Sequence, residues 1–174
     1  TEVCQTIASY PLFTERKTKD HDSMSYKIVE YIETPNKLNL FNFDSNNSFY
    51  FIPENINEEL ESTKYIYPES TTDIRKMLKS ENITIEYLTS DKPLLRSRKS
   101  SDWFGPTLLI TYSLLSQNST LIGISLNLIS SYLYDYFKGS TESKQVKFEI
   151  ILESKKKKEF KKIKYEGSIE GIKE

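Results

Sequence analysis

The chain has 174 residues, enough for one domain or two small ones, and its apolar content of 37% is low for a globular protein. The net charge of −1 does not by itself indicate nucleic-acid binding. The charge is uneven, however: residues 1–137 hold 13 basic and 18 acidic residues, and residues 138–174 hold 11 basic and 7 acidic residues. Cys4 is the single cysteine, which excludes an internal disulfide. Because no signal peptide is expected at the start either, a cytoplasmic location is predicted.

The N-terminal half is predicted to consist mainly of strands and turns. A strand is expected over residues 26–33, and a hairpin over about residues 37–52 with its turn at 44–47. Thr71 to Asp73 has the residue types of a helix start. Strict alternation of apolar and polar residues then predicts a strand over residues 82–89.

The central feature is a stretch without any charged residue, from Trp103 to Tyr134, in a chain that is 28% charged. A membrane helix needs about 20 consecutive, mostly apolar residues. Polar residues 116–120 interrupt this stretch, so two helices are predicted instead, Pro106–Leu115 and Leu121–Phe137. We therefore expect a helical hairpin that is buried against protein.

One face of the second predicted helix is polar but uncharged, and it carries Gly123, Asn127, Ser131 and Tyr134. The simplest interpretation is a solvated or half-buried surface, although such a surface usually carries Lys and Glu. A second interpretation is a protein–protein contact, because the cores of such contacts are depleted in charge and enriched in Tyr. A third is insertion of this helix into a membrane, for which 17 residues are marginal.

Trp103 opens the uncharged stretch, shortly after Arg96 and Arg98. It either packs against the start of the first predicted helix or forms an exposed docking patch, since Trp and Arg are frequent binding anchors. Trp103 is therefore a candidate partner-binding residue, together with the four residues of the uncharged face.

The C-terminal part is predicted to form a second hairpin from residues 146–153 and 160–165, followed by a short helix from Ile169. Its connection and second strand are rich in lysine. These side chains could bind nucleic-acid phosphates, with Lys156, Lys157, Lys161 and Lys162 as the candidates. The alternative is that they protect a sheet edge from aggregation, with Phe160 in the core.

Residues for catalysis or metal binding are sparse. His21 lies alone in a polar loop, Cys4 has no histidine at a supporting spacing, and no glycine-rich phosphate loop is present. The acidic cluster of Glu58, Glu59 and Glu61 is typical of a solvated turn. We therefore predict no catalytic residues, no metal and no cofactor, and the chain is not expected to be an enzyme.

The layout of residues 107–174, an uncharged helical region followed by a basic β-hairpin and a short helix, resembles the small noncatalytic components associated with effectors in bacterial conflict (antiphage) systems. The resemblance implies an adaptor or sensor that couples to a separate effector protein. It transfers no site residues.

The predicted fold class is α+β, a mostly antiparallel sheet with a helical hairpin packed on one face. Residues 1–93 form the strand-rich part, and residues 94–174 form the helical hairpin and C-terminal β-hairpin, with one continuous domain as the alternative. The predicted function is protein–protein interaction with another protein or with a second copy of the chain. A nucleic-acid-binding module and a membrane-active protein are the alternatives.

Overall fold

A computed structural model describes residues 27–33, 38, 41, 49–58, 64–89, 92–99, 102–138, 145–155 and 160–168. Its strands are β1 (Lys27–Glu33), β2 (Phe49–Ile52), β3 (Ile66–Pro68), β4 (Ile85–Tyr87), β5 (Leu94–Arg96), β6 (Trp103–Ile110), β7 (Val146–Glu153) and β8 (Phe160–Gly167). Its helices are α1 (Ser70–Ser80), α2 (Tyr112–Gln117) and α3 (Ser119–Phe137).

Six strands form one mixed sheet in the order β1-β8-β7-β6-β2-β4, and β3 and β5 form a separate parallel pair. Three pairings of the large sheet are antiparallel, namely β1 with β8, β8 with β7, and β6 with β2. The pairings of β6 with β7 and of β2 with β4 are parallel. The chain thus combines helices and strands as predicted, but a mostly antiparallel sheet is not confirmed. The two predicted parts, 1–93 and 94–174, contribute three strands each to this sheet.

The first eight residues of the uncharged stretch form a central strand, so the predicted helix Pro106–Leu115 is wrong. β6 lies between β7 and β2, and both of its faces are buried, so its sequence lacks the alternation of a half-exposed strand. Pro106 fits here because the register with β7 shifts between Phe104 and Thr107, a bulge that needs no N–H donor at that position. Gly105 fits because a Cβ there would lie 2.4 Å from the Trp103 ring.

From Tyr112 onward the stretch is helical except at Asn118, and the predicted helix Leu121–Phe137 is confirmed as part of α3. The strand-to-helix change occurs at Thr111, whose side-chain oxygen accepts a hydrogen bond from the N–H of Leu114 and caps α2. α2 has only six residues, so the expected hairpin of two long helices is replaced by one short helix and one long one. Among the helices that the structure describes, none combines the length and the apolar character required to cross a membrane.

The core has two parts, one on each face of the sheet. The larger part joins Ile74 and Leu78 of α1, Leu114 of α2 and the inner side of α3 to sheet residues such as Leu108 and Val146. The smaller part lies on the other face and contains Leu38, Tyr50, Ile52, Leu88, Leu109, Ile151 and Phe160. All three described helices therefore contribute to the core on a single face of the sheet.

Several shorter predictions are settled by the topology. The strand predicted at 26–33 is confirmed over residues 27–33, and the C-terminal hairpin of β7 and β8 is confirmed. The predicted cap at Thr71 to Asp73 is wrong, because these residues lie inside α1 and Glu69 is its N-cap residue. The hairpin over 37–52 is wrong, because both edges of β2 are occupied by β4 and β6. The turn at 44–47 and the helix from Ile169 lie outside the described residues, as do Cys4, His21, Glu59 and Glu61.

Candidate interaction surface on helix α3

The inner side of α3 is fixed by three apolar side chains, Ile129, Leu133 and Phe137, which are buried at steps of four residues. Residues four apart lie on one face of a helix, so this spacing sets which side meets the sheet. Ser125 continues the row, and its buried hydroxyl donates a 2.8 Å hydrogen bond to the carbonyl of Leu121. Because this polar group is satisfied within the helix, it does not disturb the apolar packing.

The opposite side of α3 is exposed, and we call it the outer face. At 3.6 residues per turn it covers an arc of roughly 160° and a length of roughly 24 Å. It consists of Ser119, Thr120, Gly123, Ile124, Asn127, Ser131, Tyr134 and Asp135. Asp135, near the C-terminal end, is the one charged residue among them.

The four residues predicted from the uncharged pattern, Gly123, Asn127, Ser131 and Tyr134, all lie in the middle of this outer face. They fall within an arc of roughly 80°. A Cβ built on Gly123 would meet nothing within 4 Å, so the centre of the face is open. The structure therefore brings these four residues together on one accessible surface.

Large apolar side chains are exposed on and beside this surface. Ile124 and Tyr134 are each 47% exposed, and Tyr136 is 60% exposed near the end of the helix. Tyr112 at the start of α2 is exposed as well. The helical spacing of apolar residues predicts Tyr136 on the buried side of the second helix and Tyr112 on the apolar side of the first, and it does not single out Ile124. Periodicity assigns a side to each residue, but it does not show where the sheet stops covering the helix.

Trp103 does not lie on this surface, and the prediction that it forms an exposed docking patch is wrong. Its side chain is only 5% exposed and lies in the larger core, with its ring centroid 6.5 Å from that of Phe148. Trp103 begins β6, where its side chain faces the helical side of the sheet. Burial of this large aromatic ring contributes to stability rather than to recognition.

A polar contact between Tyr132 and Asp73 links α3 to α1. The Tyr132 hydroxyl donates to Asp73 Oδ2 over 3.4 Å, a long hydrogen bond. Partial burial of the ring, together with the nearby Asp73 carboxylate, raises the pKa of Tyr132 to about 12. The hydroxyl therefore stays protonated at neutral pH.

Of the four lysines proposed for nucleic-acid binding, the two that the structure describes do not lie on the same surface. In the β7–β8 register Lys161 is opposite Leu152 and Lys162 is opposite Ile151, so the two side chains lie on opposite faces of the sheet. Lys162 Nζ lies 3.1 Å from Glu149 Oε2. Lys156 and Lys157 lie outside the described residues. Lys161 and Lys162 therefore do not both contact the phosphates of one nucleic-acid strand that lies on one face of the sheet.

Within the described ranges, no group of three or more His, Cys, Asp or Glu side chains is placed to hold a metal ion. No family model, curated protein sequence or solved structure matches the chain. The resemblance to components of antiphage systems consequently stays a prediction, and the case for function depends on the surfaces themselves.

Proposed function

We propose that this chain is a noncatalytic protein-interaction subunit, an adaptor or sensor, that docks on a separate protein through the outer face of α3. The observation that carries the proposal is the charge depletion of that face, where one of eight exposed residues is charged. Solvated helix faces normally carry Lys and Glu, whereas the cores of protein contacts lose charge and gain Tyr.

The shape of the outer face supports the same function. The small residues Gly123 and Ser131 leave room for the backbone of a partner to approach closely. Ile124 and Tyr134 offer apolar area around them. A standard interface buries about 800 Å² on each partner, which is more than one face of a helix of this length offers. A partner would therefore extend beyond α3, and the uncharged helix α2 with its exposed Tyr112 is the adjacent surface in the chain.

The setting in a bacterial defence system, with an effector as the partner, rests on the resemblance of residues 107–174 to such components. A cytoplasmic location is supported by the single cysteine of the chain. Identifying the partner tests both the defence-system setting and the cytoplasmic location.

The proposal is tested by placing a charge at the centre of the outer face. Asn127→Arg should leave the fold intact, because the position is exposed, but should reduce recovery of the partner about 10-fold or more, since an unpaired buried charge is costly. Ser80→Arg on α1 is the matched control, with the same charge at another exposed helix position. Both variants and the wild type are purified from native cells, and the complexes are measured by native mass spectrometry.

The control variant should retain the partner at wild-type stoichiometry. If Asn127→Arg retains it as well, the outer face of α3 is not the docking surface and the proposal is wrong. If the recovered complex contains only copies of this chain, the outer face mediates self-association and does not bind a separate protein.

A further inference from the structure

A cavity of about 280 Å³ opens on the face of the sheet opposite the helices. Its floor includes Leu38, Ile52 and Ile151, which belong to the smaller core. Its walls include residues of β7 and β8 whose side chains alternate toward this face. The sequence pattern gave no sign of this cavity, because its parts come from distant segments.

The rim of the cavity is rich in positive charge. Its charged residues are Arg98, Lys147, Lys162 and Lys164, with Glu54 and Glu149 as the carboxylates among the described lining residues. The cations exceed the carboxylates by two. Because Lys147 is also paired with Glu166, which lies outside the lining, one positive charge is left for an anion to neutralise.

One of these cations has no carboxylate partner among the residues that the structure describes. Arg98 lies 2.9 Å from Glu54, and Lys162 lies 3.1 Å from Glu149. Lys164 is directly opposite Glu149 in the β7–β8 register and is half-buried, yet its ammonium group makes no ion pair or hydrogen bond within the described part of the chain.

The carboxylate opposite Lys164 is engaged by other groups through one of its two oxygens. Glu149 Oε2 accepts hydrogen bonds from the Thr107 hydroxyl at 3.2 Å and from Lys162 at 3.1 Å. A bound anion would supply the charge-assisted partner that the Lys164 ammonium lacks among the described residues.

An aromatic ring holds two further cations at the rim. The guanidinium carbon of Arg98 lies 4.4 Å from the centre of the Phe104 ring, and Lys147 Nζ lies 5.4 Å from it. Cation–π contacts at these distances restrict where the cations can lie. Lys147 also pairs with Glu166 at 3.1 Å, but an ammonium group has three donors and can bind a second acceptor.

A second cavity, of about 320 Å³ near the start of α1, lacks this charge pattern. Its charged lining residues are Arg96, Arg98, Glu69, Asp73 and Asp102. Here the acids outnumber the bases by one, so an anion is not favoured. The charge excess is thus specific to the cavity on the other face.

We propose that the cavity lined by Lys164 binds a compact organic phosphate. The phosphate group is neutralised by Lys164, with Arg98 and Lys147 beside it, and the apolar part of the ligand rests on Ile52 and Ile151. A phosphate monoester carries a charge of roughly −1.5 to −2 at pH 7 and three acceptor oxygens, so it can accept hydrogen bonds from Lys164 and from Arg98 or Lys147 together. The volume is at the lower end of the roughly 300–1,000 Å³ typical of ligand sites, so a small ligand is expected.

Isothermal titration calorimetry with phenyl phosphate, inorganic phosphate and a single-stranded DNA 12-mer tests this site. Phenyl phosphate should bind saturably and more tightly than inorganic phosphate, because it also fills the apolar floor. Lys164→Gln should weaken binding about 10-fold or more, since one charge-assisted contact is lost. Lys161→Gln on the same strand but the opposite face is the matched control and should change affinity less than about 2-fold.

A measurement on the unmodified chain makes the test independent of how the variants fold. Phenyl phosphate should protect Lys164, but not Lys161, from acetylation followed by mass spectrometry. Absence of saturable binding, equal protection of both lysines or equal loss in both variants would overturn the proposal. Tighter, strongly salt-dependent binding of the 12-mer would assign the cations to nucleic acid instead.

Discussion

Helices α1 and α3 pack on the same face of the sheet and differ in what they show to solvent. In α1 the exposed residues are Asp73, Arg75, Lys76, Lys79 and Ser80, and four of these five are charged. In α3 nine residues are exposed, and only Asp135 is charged. The inner sides are alike, since each helix buries apolar residues in the larger core.

This difference shows that burial within the chain does not explain the lack of charge on α3. Both helices are held by the same kind of apolar contact, and neither needs an uncharged outer side for that purpose. The charges of α1 follow the usual pattern of a solvated helix. The outer face of α3 departs from that pattern although its residues are exposed, which is why we assign the departure to a partner.

The largest expected effect is on the free energy of unfolding, and it concerns the apolar residues that both helices bury in the larger core. Leu133→Ala in α3 and Leu78→Ala in α1 should each lower the free energy of unfolding by about 2–5 kcal/mol, because both leucines are 1% exposed in the larger core. Urea unfolding followed by circular dichroism measures both. A cost for Leu133→Ala well below that for Leu78→Ala would mean that α3 is not packed on the sheet as α1 is.

A second, smaller effect concerns the open centre of the outer face. Gly123→Ala should raise the free energy of unfolding by about 1 kcal/mol, because alanine favours the helix and its methyl group meets nothing within 4 Å. Thermal unfolding of the purified chain measures the change. The same substitution should weaken partner recovery if close backbone approach is used. A loss of stability would contradict the outward position of Gly123.

The smallest effect concerns the contact that joins the two helices. The pKa of Tyr132 is raised from 10 to about 12, so the folded state keeps this proton at a pH where the unfolded state has lost it. Its contribution to stability is present below pH 10 and is lost as pH rises toward 12. The free-energy difference between wild type and Tyr132→Phe should therefore shrink over this range. Burial raises the pKa of Tyr67 and Tyr87 too, and both are unchanged in that comparison.

A pH-independent difference between wild type and Tyr132→Phe would show that Tyr132 is not coupled to the fold through its hydroxyl. Urea titrations at several pH values between 8 and 12 provide the measurement. Tyr134→Phe is a matched control, because that ring lies on the outer face.

Elements whose pattern is local were predictable from the sequence. α3 follows from helical spacing of apolar residues, and the β7–β8 hairpin follows from alternation on two adjacent segments. The central position of Gly123, Asn127, Ser131 and Tyr134 on the outer face was predictable for the same reason.

Elements that depend on distant pairing were not predictable. β6 is buried on both faces, so its short apolar run has no alternation that separates a strand from a buried helix. Its neighbours β2 and β7 are far away in sequence, and β1 pairs with β8 at the other end of the described chain. The burial of Trp103 and the cavity beside Lys164 follow from those pairings.

Site-specific photo-crosslinking is the most direct test of the outer face of α3 as a docking surface. A benzophenone amino acid placed at Asn127 should form a discrete adduct with a partner protein in native cells, and the same group at Lys79 on the charged side of α1 should not. Absence of an adduct at Asn127, or equal adducts at both positions, would contradict the assignment of this face to a partner.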